Sequence, residues 1–497
     1  MLHPSLTWPR GPARSRPARL AAACLGLSVG ACAMPQLPTL APARPLPAQW
    51  VGEVEATRPG PRVDPAAWWA RFDDPLLDRA VARALSDNLD LAQAAQRVAQ
   101  ARAQLVPAEA QFLPGLGLGA QVRGERRIAG ELPSLGGDLG AGLSQPRGTV
   151  TWGGGLDASW EVSLFGRATA TTQAARAAAA IAERQAEAAR LSLAAEVAQT
   201  YLELRAAQRR AWLLEASARA QRSLVRLTTE RRGAGLASDL DVDRSTSSLR
   251  QVEAQIPQAR AAATRAARRL ATLAADPLPD PALDPGTAEP RQPAARGLVE
   301  AGVPADLLRA RPDVRAAELA VLRAAAELGV ARSEMWPRLT LTGGLQVTAT
   351  AVGASFLNPA GPLTFLAGGP SLSMPLFDWG VRRANIEARG AALAEATLAY
   401  RQSVLGAVEE VEGTLTNLTA QRARSERLEA AEAAALRALR GAERLYAQGL
   451  VGFLDRLQAE QDLLQVRIEL TAAREAEALA VVGLHKALGA AVPGEGA

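Results

Sequence analysis

Few side chains in this 497-residue sequence could carry covalent or metal chemistry. There are two cysteines, Cys24 and Cys32, and two histidines, of which only His485 lies outside the N-terminal segment. So few thiols and imidazoles can build neither a disulfide framework nor a Cys/His zinc site. Neighbouring carboxylates such as Glu409 and Glu410 face different sides of a helix. We therefore expect no enzyme, no metal site and no cofactor, and we interpret His485 as a capping or solvated residue near a helix end.

The cysteine with a defined chemistry is Cys32, which follows a targeting segment. Four arginines precede the apolar run 20–31, and Cys32 comes directly after it. This order is typical of a secretory signal, and the run is too short for a permanent transmembrane helix. The residues VGAC at 29–32 resemble a bacterial lipobox, whose cysteine receives a diacylglycerol and an N-acyl chain. We predict a signal peptide at 1–31 and lipidation of Cys32, with an unlipidated signal as the alternative.

The same segment bears on location and partners. Ala33 follows Cys32 in place of the aspartate that commonly retains such lipoproteins in the inner membrane, so the outer membrane is favoured. Each buried methylene of an acyl chain contributes about 0.8 kcal/mol, so several chains would hold the N-terminus at the lipid. Without the four arginines the net charge falls from +5 to +1. The net positive charge therefore comes mostly from the targeting segment, and no nucleic-acid partner is expected.

The largest signal in the sequence is an internal repeat. Landmarks of the first half recur 214 residues later, with Gly166 matching Gly380, Glu196 matching Glu410, and GLASDLD at 235–241 matching GLVGFLD at 449–455. At an offset of 223 residues, Asp90 matches Asp313 and Pro114 matches Pro337. One register kept over several landmarks indicates a tandem duplication.

Each copy contains two candidate strands. Partial alternation of apolar and polar residues, with many glycines, predicts strands at about 113–125, 148–163, 338–350 and 363–376. Segments of this length suit a tilted bilayer crossing. Four strands cannot close a barrel, and an open edge in lipid leaves backbone groups without partners. If the strands span a membrane, several chains must share one barrel.

Long helices must position these strands. Helices are predicted at about 76–110 and 305–333, and the stretch 166–233 has neither glycine nor proline between its end glycines. At 1.5 Å per residue that stretch is roughly 100 Å long. Its apolar residues recur at spacings of three and four, as in Leu193, Val197 and Tyr201, which is typical of a coiled-coil seam. A coiled-coil scaffold is the simpler alternative, but it explains neither the strands nor the signal.

The far ends of the long helices are predicted to be hairpin turns. In each copy a glycine stops the outgoing helix, and an aspartate lies just inside the returning one. These residues are Gly235 and Asp241 in the first copy and Gly449 and Asp455 in the second. Ser238 or Asp239 is the expected N-cap in the first copy. Two helical hairpins result, both pointing away from the strands.

Six motifs are spread over essentially the whole mature chain. They are WWARFDDPLLDRAV (68–81), ASWEVSLFGR (158–167), GVPADLLRARPDVRAAE (302–318), WPRLTLTGG (336–344), PLFDWGVRR (375–383) and YAQGLVGFLDRLQAEQ (446–461). Each is modest evidence alone. Together and in this order they resemble the outer membrane factor family of tripartite efflux systems, in its lipoprotein branch (TolC-like, NodT-type).

The resemblance implies an α+β membrane protein built as a homotrimer. Each protomer would give four strands to a twelve-stranded outer-membrane β-barrel, continued by a long periplasmic α-helical barrel. The tip of that barrel would dock a periplasmic adaptor protein and an inner-membrane RND-type pump. The segments would be a lipidated extended segment at 32–75, repeats at 76–275 and 305–489, a proline-rich equatorial linker at 276–304 and a C-terminal tail at 490–497.

The resemblance also assigns the closed end of the duct. Family tips carry rings of aspartates, and Asp241 and Asp455 occupy those positions, where like charges repel one another and attract cations. The simpler alternative is that each aspartate caps or solvates a helix start. Tyr446 matches a tip tyrosine that latches the closed state through polar contacts, with Asp241 as its expected partner. Some relatives have an arginine in place of Val451 and an aspartate in place of Gln458, so this aperture is expected to be less acidic.

The function implied by the resemblance is a passive exit duct for drugs or other small molecules, from periplasm to exterior, powered by the inner-membrane partner. The alternative is an outer-membrane channel of the same fold that serves type I protein secretion with an ATP-driven exporter. Methionine is scarce, with 4 in the chain, and no methionine or histidine cluster marks a metal path.

Overall fold

The computed structural model describes residues 50, 65–126, 148–294, 311–352 and 361–489. The signal peptide, Cys32 and the C-terminal tail fall outside these ranges, as does part of the linker. The helices are α1 (Pro75–Asp87), α2 (Leu89–Ala103), α3 (Leu105–Ala110), α4 (Arg167–Gly233), α5 (Asp239–Leu273), α6 (Pro312–Ser333), α7 (Val381–Ala447) and α8 (Phe453–Ala487). The strands are β1 (Gly115–Arg126), β2 (Gly148–Val162), β3 (Arg338–Val352) and β4 (Leu363–Ser373), and short 3-10 helices span Pro65–Phe72 and Pro281–Leu283.

The two helical hairpins have the same dimensions. Helices α4 and α7 contain 67 residues each, and α5 and α8 contain 35 each. The long stretches predicted from their alanine, leucine and arginine content are therefore confirmed. An ion pair between α4 and α5, Glu215 with Arg260 at 2.6 Å, has a counterpart between α7 and α8, Glu429 with Arg474 at 2.7 Å. None of the described helices is long and apolar enough to cross a membrane.

The single helix predicted at about 76–110 was wrong. The backbone of Asn88 is extended, which ends α1. Its side-chain Oδ1 then accepts hydrogen bonds from the Asp90 and Leu91 N–H groups at 2.9 and 3.1 Å, which starts α2. An asparagine that satisfies the first amides of a helix favours a new start over continuation.

The four strands form one antiparallel sheet in the order β1-β2-β3-β4. The predicted strands are confirmed to within a few residues. Two glycines are required where strands approach closely, because a Cβ on Gly155 would lie 2.7 Å from the Leu345 carbonyl oxygen, and one on Gly368 would lie 2.7 Å from that of Thr342. Apolar side chains on the strands are exposed, including Leu116, Leu118, Leu366 and Leu372.

The described chain forms two compact units. One holds the sheet and the neighbouring helix ends, within residues 102–177 and 322–395, and the other holds most of the helical hairpins. In the helical unit the N-terminal residues Trp68, Phe72, Leu77 and Val81 are almost completely buried. This burial ties the first described segment to the helices.

His485 belongs to that buried cluster, so the interpretation as a capping or solvated residue was wrong. Its ring stacks on Trp68 with centroids 5.3 Å apart and planes 16° apart, and the residue is 7% exposed. Burial, and to a smaller extent the charge of Arg71, lowers the pKa of His485 to about 3. A neutral imidazole packed on an indole is therefore part of the core.

Candidate functional site

The turns at the ends of the hairpins share one geometry. Gly235 and Gly449 both have φ of +73°, a left-handed conformation that glycine adopts without strain. The Leu236 N–H donates to the Arg231 carbonyl oxygen at 2.8 Å, and the Leu450 N–H donates to that of Leu445 at 2.9 Å. Both turns are Schellman motifs, which end α4 and α7 in the same way.

Asp241 lies at the third position of α5 and closes a capping box with the N-cap Ser238. The Asp241 N–H donates to Ser238 Oγ at 3.2 Å, while Asp241 Oδ2 accepts from the Ser238 N–H at 3.1 Å and from its hydroxyl at 2.7 Å. These hydrogen bonds lower the pKa of Asp241. The residue is partly exposed, so its carboxylate both caps the helix and carries a negative charge within reach of solvent.

Asp455 takes the same place in the second hairpin. Its Oδ2 accepts a hydrogen bond from the Gly452 N–H at 3.0 Å, and Gly452 has no side chain to reciprocate. The residue is exposed, and its carboxylate has fewer local partners than that of Asp241. The capping alternative and the aperture prediction are compatible at both positions, because a cap uses only part of a carboxylate's acceptor capacity.

Tyr446, the predicted latch, lies near the C-terminal end of α7 and is half-buried. Its ring contacts Phe453, with centroids 6.4 Å apart, and two guanidinium groups lie over it, from Arg231 at 4.9 Å and from Arg456 at 5.7 Å. No hydrogen bond joins Tyr446 to Asp241 within the described part of the protomer. The polar contact between Tyr446 and Asp241 stays a prediction.

Sequence reasoning missed the residues that join the two hairpins. Leu224 of α4 packs with Phe453 and Leu457 of α8 in one buried cluster. Beside it, Ser248 donates to Gln221 at 3.2 Å and accepts from Gln461 of α8 at 2.9 Å. The run STSS at 245–248, which interrupts an otherwise apolar seam, was the signal that could have found this polar link.

Comparison with known proteins identifies the family to which this chain belongs. The sequence pattern of the family described as outer membrane efflux protein matches residues 80–276 and 303–490. The chain belongs to this family. Nodulation protein T of Rhizobium leguminosarum bv. trifolii is 30% identical over 448 residues, covering 90% of this chain and 92% of that relative. Outer membrane protein OprJ of Pseudomonas aeruginosa is 30% identical over 475 residues, covering 95% of each chain.

The solved structures agree with this assignment. The outer-membrane channel OprN superposes with a TM-score of 0.77 at 29% identity, covering 90% of this chain and 98% of that one. The prediction of an outer-membrane efflux channel is therefore confirmed over the alternative of a protein secretion channel.

A second polar site of this outer membrane efflux protein lies away from the tip. A cavity of about 480 Å³ between α4, α5 and α8 is lined by Glu475 of α8 and by Glu203 and Arg210 of α4. Burial and the nearby Glu203 raise the pKa of Glu475 to about 7, and Arg210 opposes the rise. A carboxyl group with a pKa of about 7 changes its charge near neutral pH.

We predict that the ionisation of Glu475 makes the stability of the folded protein depend on pH. An unfolded glutamate titrates near pH 4.3, so the folded protein loses stability as the pH rises from about 4 to 7 and Glu475 must ionise in the cavity. Glu475→Gln should be more stable than wild type at pH 8, on the order of 2 kcal/mol, and about equal at pH 4.5. Urea unfolding at both pH values measures this. Glu409→Gln, on an exposed part of α7, is the control, and an equal gain at both pH values would refute the prediction.

Proposed function

We propose that three copies of this chain form the exit duct of a tripartite efflux pump. The observation that carries this proposal is the open four-stranded sheet. Among the described strands, β1 and β4 each pair on one side only, and their leucines are exposed. A free strand edge in lipid leaves backbone N–H and C=O groups without partners, so closure requires strands from further copies. Three copies give a twelve-stranded barrel.

The helices of the three copies would continue this barrel into the periplasm. The two hairpins of each chain have equal helix lengths and equivalent turns, which supports the proposed tandem duplication. Six hairpins would then form a nearly regular ring. In that ring Asp241 and Asp455 would each occur three times at the narrow end, and their charges would favour cations over anions.

Transport through this duct is passive. The chain would open when its hairpins separate on contact with a periplasmic adaptor protein, and an RND-type inner-membrane pump would supply the energy. Deletion of the gene in its native host should raise cellular accumulation of ethidium, and the plasmid-borne chain should restore export. Unchanged accumulation of ethidium and of other pump substrates in the deletion strain would contradict a role in small-molecule efflux.

Lipidation at Cys32 is a separate prediction. Cells that express the wild-type chain should incorporate labelled palmitate into it, and Cys32→Ser should abolish the label, because no other thiol follows the signal peptide. Cys24→Ser is the matched control and should remain labelled. Labelling that survives in Cys32→Ser would show that the lipid, if any, is attached elsewhere.

A further inference from the structure

Another cavity lies between α4, α5 and the part of the linker at 279–290. Its volume is about 570 Å³, which is in the range of small-molecule sites. Six apolar side chains of its lining are Leu204, Ala211, Trp212, Ala263, Ala267 and Leu283. Leu204, Ala211 and Leu283 are buried, and the linker adds four prolines to the lining. The cavity therefore offers a largely apolar wall.

The largest of these side chains is Trp212 of α4. The guanidinium carbon of Arg209 lies 5.0 Å from the centroid of its ring, a contact that holds the indole in place. Gln208, one helical turn earlier, donates through Nε2 to the Leu283 carbonyl oxygen at 2.8 Å. This hydrogen bond ties the linker to α4, so both walls of the cavity are positioned before any ligand binds.

The charged residues of the lining are mostly acidic. They are Glu215, Asp280 and Asp284, against one cation, Arg260. Arg260 is already paired, since its Nε and Nη2 both donate to Glu215 Oε1, at 2.9 and 2.6 Å. Asp280 and Asp284 each accept one backbone N–H of the following turn through Oδ1, both at 2.9 Å. A carboxylate has acceptor positions for several donors, so both keep capacity for a cation.

We propose that this cavity binds a small lipophilic cation, with its apolar body against Trp212 and the prolines and its charge beside Asp280 and Asp284. An anion of the same size would be repelled by the two carboxylates, and a neutral molecule would gain nothing from them. Trp212 lies about six helical turns along α4 from the hairpin turn at Gly235. The site is therefore distinct from the tip, and it does not depend on the proposed duct.

The second copy of the repeat keeps the ion pair of this lining but not its aromatic wall. At the offset of 214 residues, the glutamate–arginine pair corresponds to Glu429 and Arg474, which also form an ion pair. Glu426, however, stands at the position of Trp212. The ion pair is thus common to both hairpins, whereas the indole belongs to the first hairpin alone. We therefore expect one lipophilic cation per chain.

Calorimetric titration of the purified full chain tests the site with two ions of nearly equal size and opposite charge. These are tetraphenylphosphonium and tetraphenylborate, each corrected for its binding to detergent micelles without protein. Wild type should bind one tetraphenylphosphonium per chain, about tenfold more tightly than tetraphenylborate. Equal affinity for the two ions, or no saturable binding of tetraphenylphosphonium, would overturn the proposal.

Two variants separate the charge from the apolar wall. Asp280→Asn with Asp284→Asn keeps an acceptor for each turn but removes both charges, so the affinity for tetraphenylphosphonium should fall about tenfold. Trp212→Leu keeps an apolar side chain but removes the ring, and it should weaken binding about threefold to fivefold.

Asp276→Asn is the control for the loss of charge. Asp276 lies in the same linker and accepts the Leu278 N–H through Oδ1 at 3.3 Å, but it does not line the cavity. This substitution should leave the affinity unchanged. If it weakens binding as much as the double substitution of Asp280 and Asp284, the cation responds to the general charge of the linker and the proposed site is wrong.

Amide hydrogen exchange locates the bound ion. Tetraphenylphosphonium should slow exchange of the linker amides at 280–289 in wild type, and the same concentration should have little effect in the double variant. Protection confined to the hairpin turns, where Asp241 and Asp455 lie, would place the cation in the proposed duct and refute the linker site. Protection at 280–289 in a protein that forms no pore would support the site and contradict only the duct.

Discussion

Arg311→Met should lower the free energy of unfolding by about 2–3 kcal/mol, the largest loss of stability that we predict for one substitution. The side chain of Arg311 is 11% exposed and joins three elements. Its Nε and Nη2 donate to the two carboxylate oxygens of Asp313 at 3.0 and 2.8 Å, and its Nη1 contacts Glu410 and the Ala487 carbonyl oxygen, both at 2.7 Å. The start of α6, the middle of α7 and the end of α8 therefore meet at one guanidinium.

The lowered pKa of Asp313 agrees with a strong interaction between its carboxylate and Arg311. Burial alone would raise the pKa of Asp313, but the hydrogen bonds and charge of Arg311 lower it on balance. Loss of the cation leaves two carboxylates and a carbonyl oxygen without their donor, and the partial exposure of the carboxylates limits the penalty. Because the pKa of Asp313 is lowered, its contribution to stability should disappear as the pH falls below about 4.

Denaturant unfolding of the reconstituted protein measures the effect. The matched control is Arg315→Met, which removes an arginine in the first turn of α6. The side chains of Arg315 and its partner Glu318 are 41% and 34% exposed, so this ion pair is more open to solvent than Arg311. This control should change the free energy of unfolding by less than about 0.5 kcal/mol. If both variants lose the same free energy of unfolding, the Arg311 contacts contribute no more to stability than the ion pair of Arg315.

Tyr201→Phe is expected to lower the free energy of unfolding by about 2 kcal/mol, although it removes a single oxygen atom. Tyr201 is fully buried in α4. Its hydroxyl donates to Asp74 Oδ2 at 2.7 Å and accepts from Arg205 Nε at 2.9 Å. Asp74 also caps α1 through the Leu76 N–H at 3.0 Å, so the hydroxyl joins the N-terminal helix to the long hairpin.

The control for this prediction is Tyr400→Phe. Tyr400 is also buried, in α7, and the described part of the chain gives its hydroxyl no hydrogen bond. Its loss should change the free energy of unfolding by less than about 0.5 kcal/mol, measured by the same denaturant titration. If Tyr201→Phe is as mild as Tyr400→Phe, water replaces the lost hydroxyl and the network is not a structural link.

The parts of the fold that local sequence determines could be predicted. These parts are the long helix α4, which has no glycine or proline before Gly233, the glycine turns that end α4 and α7, and the alternation in β3. Each depends on residues only a few positions apart. The split at Asn88 was missed because a side-chain cap can outweigh a continuous helix-forming composition.

Contacts between distant residues could not be predicted in this way. The burial of His485 depends on Trp68, more than four hundred residues earlier in the chain. The Arg231–Tyr446 contact likewise depends on how two hairpins pack. At the tip, the sequence predicted where Asp241 and Tyr446 lie along the hairpins. The hydrogen bond from Ser238 agrees with the capping alternative for Asp241, and the contact between Asp241 and Tyr446 stays a prediction.

The central claim is that this chain forms a closed, aspartate-lined duct, and single-channel recording of the purified trimer in planar bilayers tests it most directly. Wild type should show low, cation-selective conductance. Asp241→Asn with Asp455→Asn keeps acceptors for both helix caps but removes the charges, so selectivity for cations should fall. Asp239→Asn, at the exposed start of α5, should leave selectivity unchanged. A verified trimer that forms no pore, or a double variant as cation-selective as wild type, would contradict the account.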